Sequence, residues 1–353
     1  MIEGTSERIR ITGDVDDVQR WFAERGLTDG LPVVPPTEER VAAMVAAVPQ
    51  AAGESLGDLP PRWAEATIEK LAVNAVLAGC RPEVFPVVVA AVRALLRKEF
   101  NLYGVQATTH PVAPMVVVHG PVARRLGVHG GPGLLGPGHP ANATIGRAVR
   151  LILLNVGGAY PGEGDRATHG TPAKFAYCLT ENVAESPWPE FHTTRGFDPD
   201  QSAVTVFGAE APHNINDHES STPERLLDIV ADVMSGLGHN SWYVAEEGRN
   251  DMVVVLGPEH AALLGRAGWS RADAQAYLHG RSARPVAELR RGGMWDMRDW
   301  PEDTPLDDGA MFAPVRRAED VLVLVAGGPG KHSLVIPSFG ATRSVTVALE
   351  DGD

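Results

Sequence analysis

The sequence predicts an α/β protein: a mostly parallel sheet built from repeated βα units, preceded by an N-terminal helical region. Three observations lead there. Four short runs, 114–118 (PMVVV), 203–207 (AVTVF), 251–256 (DMVVVL) and 320–325 (DVLVLV), are almost continuously apolar and rich in β-branched residues. That is the pattern of strands buried on both faces. Helix-period stretches at 140–155, 172–183, 222–235, 259–266 and 270–279 lie between them, and alternation of strand with helix marks an α/β chain. Finally, MVVVHGPVARRLG at 115–127 is echoed by MVVVLGPEHAALLG at 252–265, the trace of a duplicated βα unit.

Taken in order, residues 14–26 (DVDDVQRWFAERG) place Val15, Val18, Trp21 and Phe22 on one face of a short amphipathic helix. In TDGLPVVPPTEERVAAMV the Pro-Pro pair ends an extended segment, Thr37 caps, and Glu38 and Glu39 suit the first turn of the next helix. Residues 63–79 form a helix ending at Gly79, and 82–97 another with Pro82 in its first turn. At 353 residues the chain is too long for one small core. Two closely packed parts are expected: 1–100 mainly helical, and 101–353 an α/β core carrying glycine-rich ligand loops.

Composition narrows the function. The net charge of −14 disfavours binding along a phosphate backbone, so no nucleic-acid partner is expected. No apolar run reaches 18 residues, so no membrane span is expected. The N-terminus has no apolar signal region, which makes the cytoplasm the expected location. Two cysteines, Cys80 and Cys178, exclude a disulfide framework and a cysteine-rich zinc site.

Several stretches carry chemistry. Gly127–Gly138 is dense in glycine and runs straight into a helix beginning at Pro140. A helix start offers free N–H groups to an anion. Gly138, His139, Asn142, Thr144 and Arg147 are therefore expected to cradle a carboxylate or phosphate; the plain alternative is a turn around a packed helix. This is neither a Walker loop nor a dinucleotide fingerprint, and the sequence names no cofactor. A second glycine loop, VAGGPGKHS, follows the last apolar run and offers Gly328, Gly330, Lys331, His332 and Ser333 at a strand end. In TPAKFAYCLTEN, helical spacing puts Lys174, Cys178 and Glu181 on one face, where a lysine could activate the thiol and a glutamate could move protons. His213 and His218 stand five apart in a polar loop and are a metal-ligand pair of no sharp pattern. Asn74, buried in an apolar helix, needs a partner in the protein or in a ligand. Cys80 lies at a helix C-terminus, where the dipole disfavours a thiolate.

TDGLPVVPPT, EKLAVNAVLAGCRPE, GPGHPANATIGRAVRLILLNVGG, KFAYCLTEN followed by SPW, and VAGGPGKHS with IPSFG together resemble a bacterial family of unassigned activity. That family is associated with small proteins carrying a UGSC motif, in which U is selenocysteine or cysteine. The resemblance spans about Thr28 to Gly340 and implies a two-component enzyme whose small partner brings the reactive thiol or selenol. This chain has no UGSC string, so it would be the large component or act alone.

The functional expectation is an enzyme acting on a small anionic metabolite by proton transfer, a lyase-like cleavage or addition, or a thiol-linked redox step with the partner. Lys174, Glu181 and His213 or His332 would handle protons, with Cys178 as the nearby thiol. A non-catalytic ligand-binding or scaffold subunit is the alternative, and a metalloenzyme centred on His213 and His218 a weaker one. A chain of this kind is also a candidate oligomer.

Overall fold

A computed structural model describes residues 6–242, 250–292 and 304–350. The two Trp-Asp pairs at 295–300 lie outside them.

The N-terminal helices begin where short polar side chains cap them. Helix α1 (Val15–Glu24) opens on a capping box between Asp14 and Asp17, α2 (Glu38–Val45) on Thr37, and α3 (Ile68–Ala78) on Thr67. Each cap of this kind stabilises a helix by about 1 kcal/mol. Helix α3 stops at Gly79, whose φ of 86° is left-handed. It is shorter at its start than the sequence suggests, because Trp63 to Thr67 belong to a hairpin of β1 (Ser55–Leu59) and β2 (Ala64–Thr67). Helices α4 (Phe85–Leu95) and α5 (Leu102–Ala107) complete the region.

Two four-stranded sheets follow. The first has the order β12 (Val345–Ala348), β5 (Ala203–Ala209), β3 (Ala113–His119), β4 (Cys178–Leu179). The second has the order β10 (Val321–Val325), β7 (Met252–Leu256), β11 (His332–Ile336), β6 (His213–Asn216). Both are mixed rather than mostly parallel: β3 with β4 and β7 with β10 run parallel, and every other neighbour is antiparallel. The short helices α6 (Pro121–Leu126) and α9 (Pro258–Arg266) follow β3 and β7, and α7 (Pro140–Asn155), α8 (Pro223–Met234) and α10 (Arg271–Arg281) are the long ones. A small pair, β8 (Arg284–Pro285) with β9 (Met311–Phe312), flanks α11 (Val286–Leu289).

The sheets pack face to face. Met115, Val117, Leu179 and Phe207 from the first meet Val253, Val255, Leu322 and Leu324 from the second in one apolar layer. The outer face of the first sheet, with Val116, Val118, Val204 and Val206, shares a core with α3, α4 and α7. Val254, Val323 and Val335 on the outer face of the second share one with α8, α9 and α10. The layers are thus helix, sheet, sheet, helix. That stack explains the continuous apolar runs: strands in it are covered on both sides whatever their direction.

The literal echo of MVVV does not survive as a like-for-like repeat. Met115 points between the sheets, whereas Met252 points to the outer helices. Matching the two runs residue for residue therefore exchanges their faces, since side chains alternate with period two. What the sheets do share is a pattern of strand directions, completed by an exchange of edges. β6 leaves β5 to join the second sheet, and β12 leaves β11 to join the first.

The helix expected over 172–183 is absent. A single 3-10 turn, Pro172–Lys174, leads into β4. Gly146 of α7 lets this segment lie against the helix: a Cβ there would fall 2.5 Å from the backbone nitrogen of Tyr177. The segment then pairs with β3, the Val116 N–H donating to the Tyr177 carbonyl at 2.9 Å. Likewise the polar stretch HNIN, read as loop, is the edge strand β6.

A candidate metal centre at the ends of β3 and β4

The anion cradle expected at the start of α7 is closed by the protein itself. Asn142 is buried and fully engaged. Its Oδ1 accepts the His129 N–H at 2.8 Å, and its Nδ2 donates to the carbonyls of His129, Cys178 and Leu134 at 2.9, 3.1 and 3.3 Å. Thr144 donates back to the Pro140 carbonyl. Arg147 forks onto Asp29 with two bonds of 2.8 Å and also donates to the Pro32 carbonyl. Gly138 is exposed, and His139 stacks on His129 with ring centroids 3.6 Å apart.

The two glycine loops do meet, but as packing partners. The Gly327 N–H donates to the Gly130 carbonyl at 2.8 Å, and Asn182 donates to the Gly327 carbonyl at 3.0 Å. At Gly328 a Cβ would sit 2.4 Å from the Pro132 ring, so glycine there serves the close approach of the loops. Gly330 donates to Glu259, and Lys331 to the His218 carbonyl. Ser333 is buried; its hydroxyl lies 2.7 Å from His260 Nδ1 and accepts the Gly257 N–H. His332 is exposed and contacts Asn214 and the edge of the His218 ring. His213 is exposed on β6.

Lys174 and Glu181 are separated rather than aligned. Lys174 lies before β4, its Nζ 2.5 Å from Asp165, whereas Glu181 lies just past β4 and pairs with Arg271 at 3.4 Å. Cys178 faces the helical layer between them. Burial pushes its thiol well up, and pushes that of Cys80 up to about 12. Neither is a ready nucleophile. Asn74 finds its partner across the helices, accepting the Asn155 amide at 2.7 Å. It lines a cleft of about 1340 Å³ beneath α1, together with Trp21, Arg62 and Lys70.

The group with the clearest chemical signature is one that sequence reasoning named only through Glu181. His119 ends β3, and Glu190 and His192 lie two residues apart in the segment after β4. All three are buried, and their ligand atoms lie within 4.8 Å of one another. Among the described residues this is the only such set of three or more histidine, cysteine or acidic side chains. His213 and His218 belong to no such set.

Hydrogen bonding fixes the rings. His192 Nε2 lies 3.1 Å from the Asp198 carbonyl. A carbonyl only accepts, so Nε2 carries the proton and Nδ1 of the neutral ring is a bare lone pair. Burial, reinforced by the neighbouring His119, holds the His192 ring below its ordinary value. His119 Nε2 bonds Thr205 Oγ1 at 2.8 Å, and that hydroxyl also reaches Thr346. Both Nδ1 atoms are buried and have no hydrogen-bond partner among the described residues. They face carboxylates: His119 Nδ1 lies 3.7 Å from Glu181 and 3.8 Å from Glu190, and His192 Nδ1 lies 3.9 Å from Glu190.

The carboxylates are held too. The Gly120 N–H donates to Glu190 at 2.8 Å, and the Phe191 N–H to Glu181 at 2.5 Å. Ring nitrogens fixed from behind, with their free partners turned to carboxylates, form the outer-shell arrangement that orients metal ligands. A signal for it existed in the sequence: a histidine closing a buried strand (MVVVH) and a close Glu-x-His in PEFH.

No protein-family model matches the chain, and no curated protein is detectably similar to it.

Proposed function

We propose that the chain is a metal-dependent enzyme acting on a small anionic metabolite, with one first-row divalent ion held by His119 Nδ1, His192 Nδ1 and Glu190. The observation that carries this reading is the pair of buried, partnerless ring nitrogens turned to the same carboxylate. A lone pair facing an anion in a dry interior is costly unless a cation lies between them. Two imidazoles and a carboxylate suit zinc, iron or nickel rather than calcium or magnesium. Such an ion acts as a Lewis acid on a bound oxygen. Glu181, braced by Arg271, is the proton acceptor nearest the centre.

The reading favours an enzyme over a scaffold subunit, because a buried, oriented donor set of this kind has a chemical use. Both cysteines are buried with raised pKa values. A thiol or selenol step would therefore need the reactive group of a small UGSC-type partner.

The test is elemental analysis of protein purified without chelator, alongside the His119→Ala/His192→Ala double variant. About one equivalent of a transition ion in the parent, lost in the variant, is the expected result. No stoichiometric ion, together with no uptake when zinc or ferrous iron is titrated in, would overturn it and leave a proton shared among the histidines and glutamates.

A further inference from the structure

At the opposite end of β4 from the His–Glu centre, a buried arginine and a half-buried lysine share one carboxylate. Arg150 projects from the middle of α7, and its residue is only 6% exposed. Lys174 lies on the turn leading into β4. Asp165 contacts both: its Oδ2 is 2.5 Å from Lys174 Nζ but 3.9 Å from Arg150 Nη1, beyond hydrogen-bond reach. Its Oδ1 accepts the Ala167 N–H at 3.0 Å. Among the described residues no other carboxylate acts on either cation, so there the cluster holds two positive charges against one negative.

The guanidinium shows where that charge is directed. Its Nε donates to the Lys174 carbonyl at 2.9 Å, which fixes the plane of the group. Among the described residues the N–H groups on Nη1 and Nη2 then meet no hydrogen-bond acceptor. Neither Nη1 nor Nη2 is among the sealed polar atoms without a partner, so the fork borders space that water or a ligand can enter, and an oxyanion there would gain charge-assisted bonds. Burial in fact lowers the pKa of both Arg150 and Lys174, the latter in spite of its bond to Asp165.

We propose that Arg150 and Lys174 form a binding site for a small oxyanion, a carboxylate or phosphate group. The two terminal nitrogens of Arg150 offer the planar fork that matches two oxygens of such a group. Lys174 supplies a point charge, and Asp165 holds the lysine in place. The site gives the anionic ligand of the proposed enzyme a seat, yet it stands on its own charge balance. Protein that holds no ion, takes up none on titration and still binds phosphate would refute the ion centre alone.

The experiment is a titration of purified full-length protein with inorganic phosphate, and separately with acetate. Ionic strength is held constant with sodium chloride, and calorimetry and the thermal midpoint are the readouts. One of the two anions should bind saturably and raise the midpoint. Saturation by phosphate alone identifies a phosphoryl ligand, and by acetate alone a carboxylate. Arg150→Lys, which keeps the charge and loses the fork, should weaken binding at least tenfold. Arg150→Met should abolish it. Lys174→Gln, at a less buried position, guards against a variant that fails to fold and should also weaken binding. Midpoint shifts no larger than chloride gives, or binding unchanged in Arg150→Lys and Lys174→Gln, would overturn the proposal.

Discussion

Replacing Asn142 separates a fastening role from a ligand-binding one. Its side chain satisfies four backbone groups: the N–H and carbonyl of His129 and the carbonyls of Leu134 and Cys178. Asn142→Ala orphans all four. A buried polar group left without a partner costs about 1–3 kcal/mol. His129 is half-buried and can turn its groups to water, whereas Cys178 lies in a strand and Leu134 is buried. Counting those two carbonyls gives a loss of roughly 2–6 kcal/mol. Asn142→Asp should be worse. It keeps the acceptor for the His129 N–H but turns a buried negative oxygen towards three carbonyls. Urea denaturation read by fluorescence measures both as a fall in midpoint at constant slope. A loss below about 1 kcal/mol for the alanine variant, or an aspartate variant milder than the alanine one, would refute the reasoning and return Asn142 to the role of a ligand contact.

Two further outcomes follow from burial. With their thiols pushed up, that of Cys80 to about 12, neither cysteine should react with iodoacetamide in the native protein at pH 8, and both should react in denaturant; carboxymethylation within minutes under native conditions would contradict this. Burial also lowers the pKa of His239 and His260 from the ordinary value of 6.5, so below that pH the unfolded chain binds protons that the folded chain does not. Their contribution to stability is complete above pH 6.5 and is lost as pH falls towards their folded values; a urea midpoint that stays flat or rises between pH 7 and pH 5.5 would show the sign to be wrong.

What the sequence disclosed followed local rules. Helix starts at Thr37 and Pro140 were legible because caps and first-turn prolines act within a few residues. The four apolar runs were legible as strands. Their directions were not, since a run covered on both faces reads the same in a parallel sheet as in two stacked mixed sheets. KFAYCL was read as helix on spacing that suits one, and the pairing of Cys178 and Leu179 with β3 outweighed that preference. Among the functional groups, Glu181 and Lys174 were singled out for sound reasons, but each belongs to a different cluster. Their true neighbours, Glu190 with His192 on one side and Arg150 with Asp165 on the other, are brought together by the fold. The glycine loops were visible as unusual; that Gly328 seats a proline ring is a fact of three-dimensional contact.

The exchange of β6 and β12 between the sheets sets a timetable for synthesis. β5 leaves the ribosome well before β12, the strand that closes its open edge. At about 5–20 residues per second the edge stays bare for roughly 7–30 s. Through that interval it presents unpaired N–H and carbonyl groups beside the largely apolar stretch from Ala203 to Phe207, a template for pairing with another nascent chain. Ribosomes translating one message place such edges side by side. A chain lacking Val345–Ala348 would keep the hazard permanently, so deletion of that strand should cost yield through aggregation well out of proportion to the contacts removed.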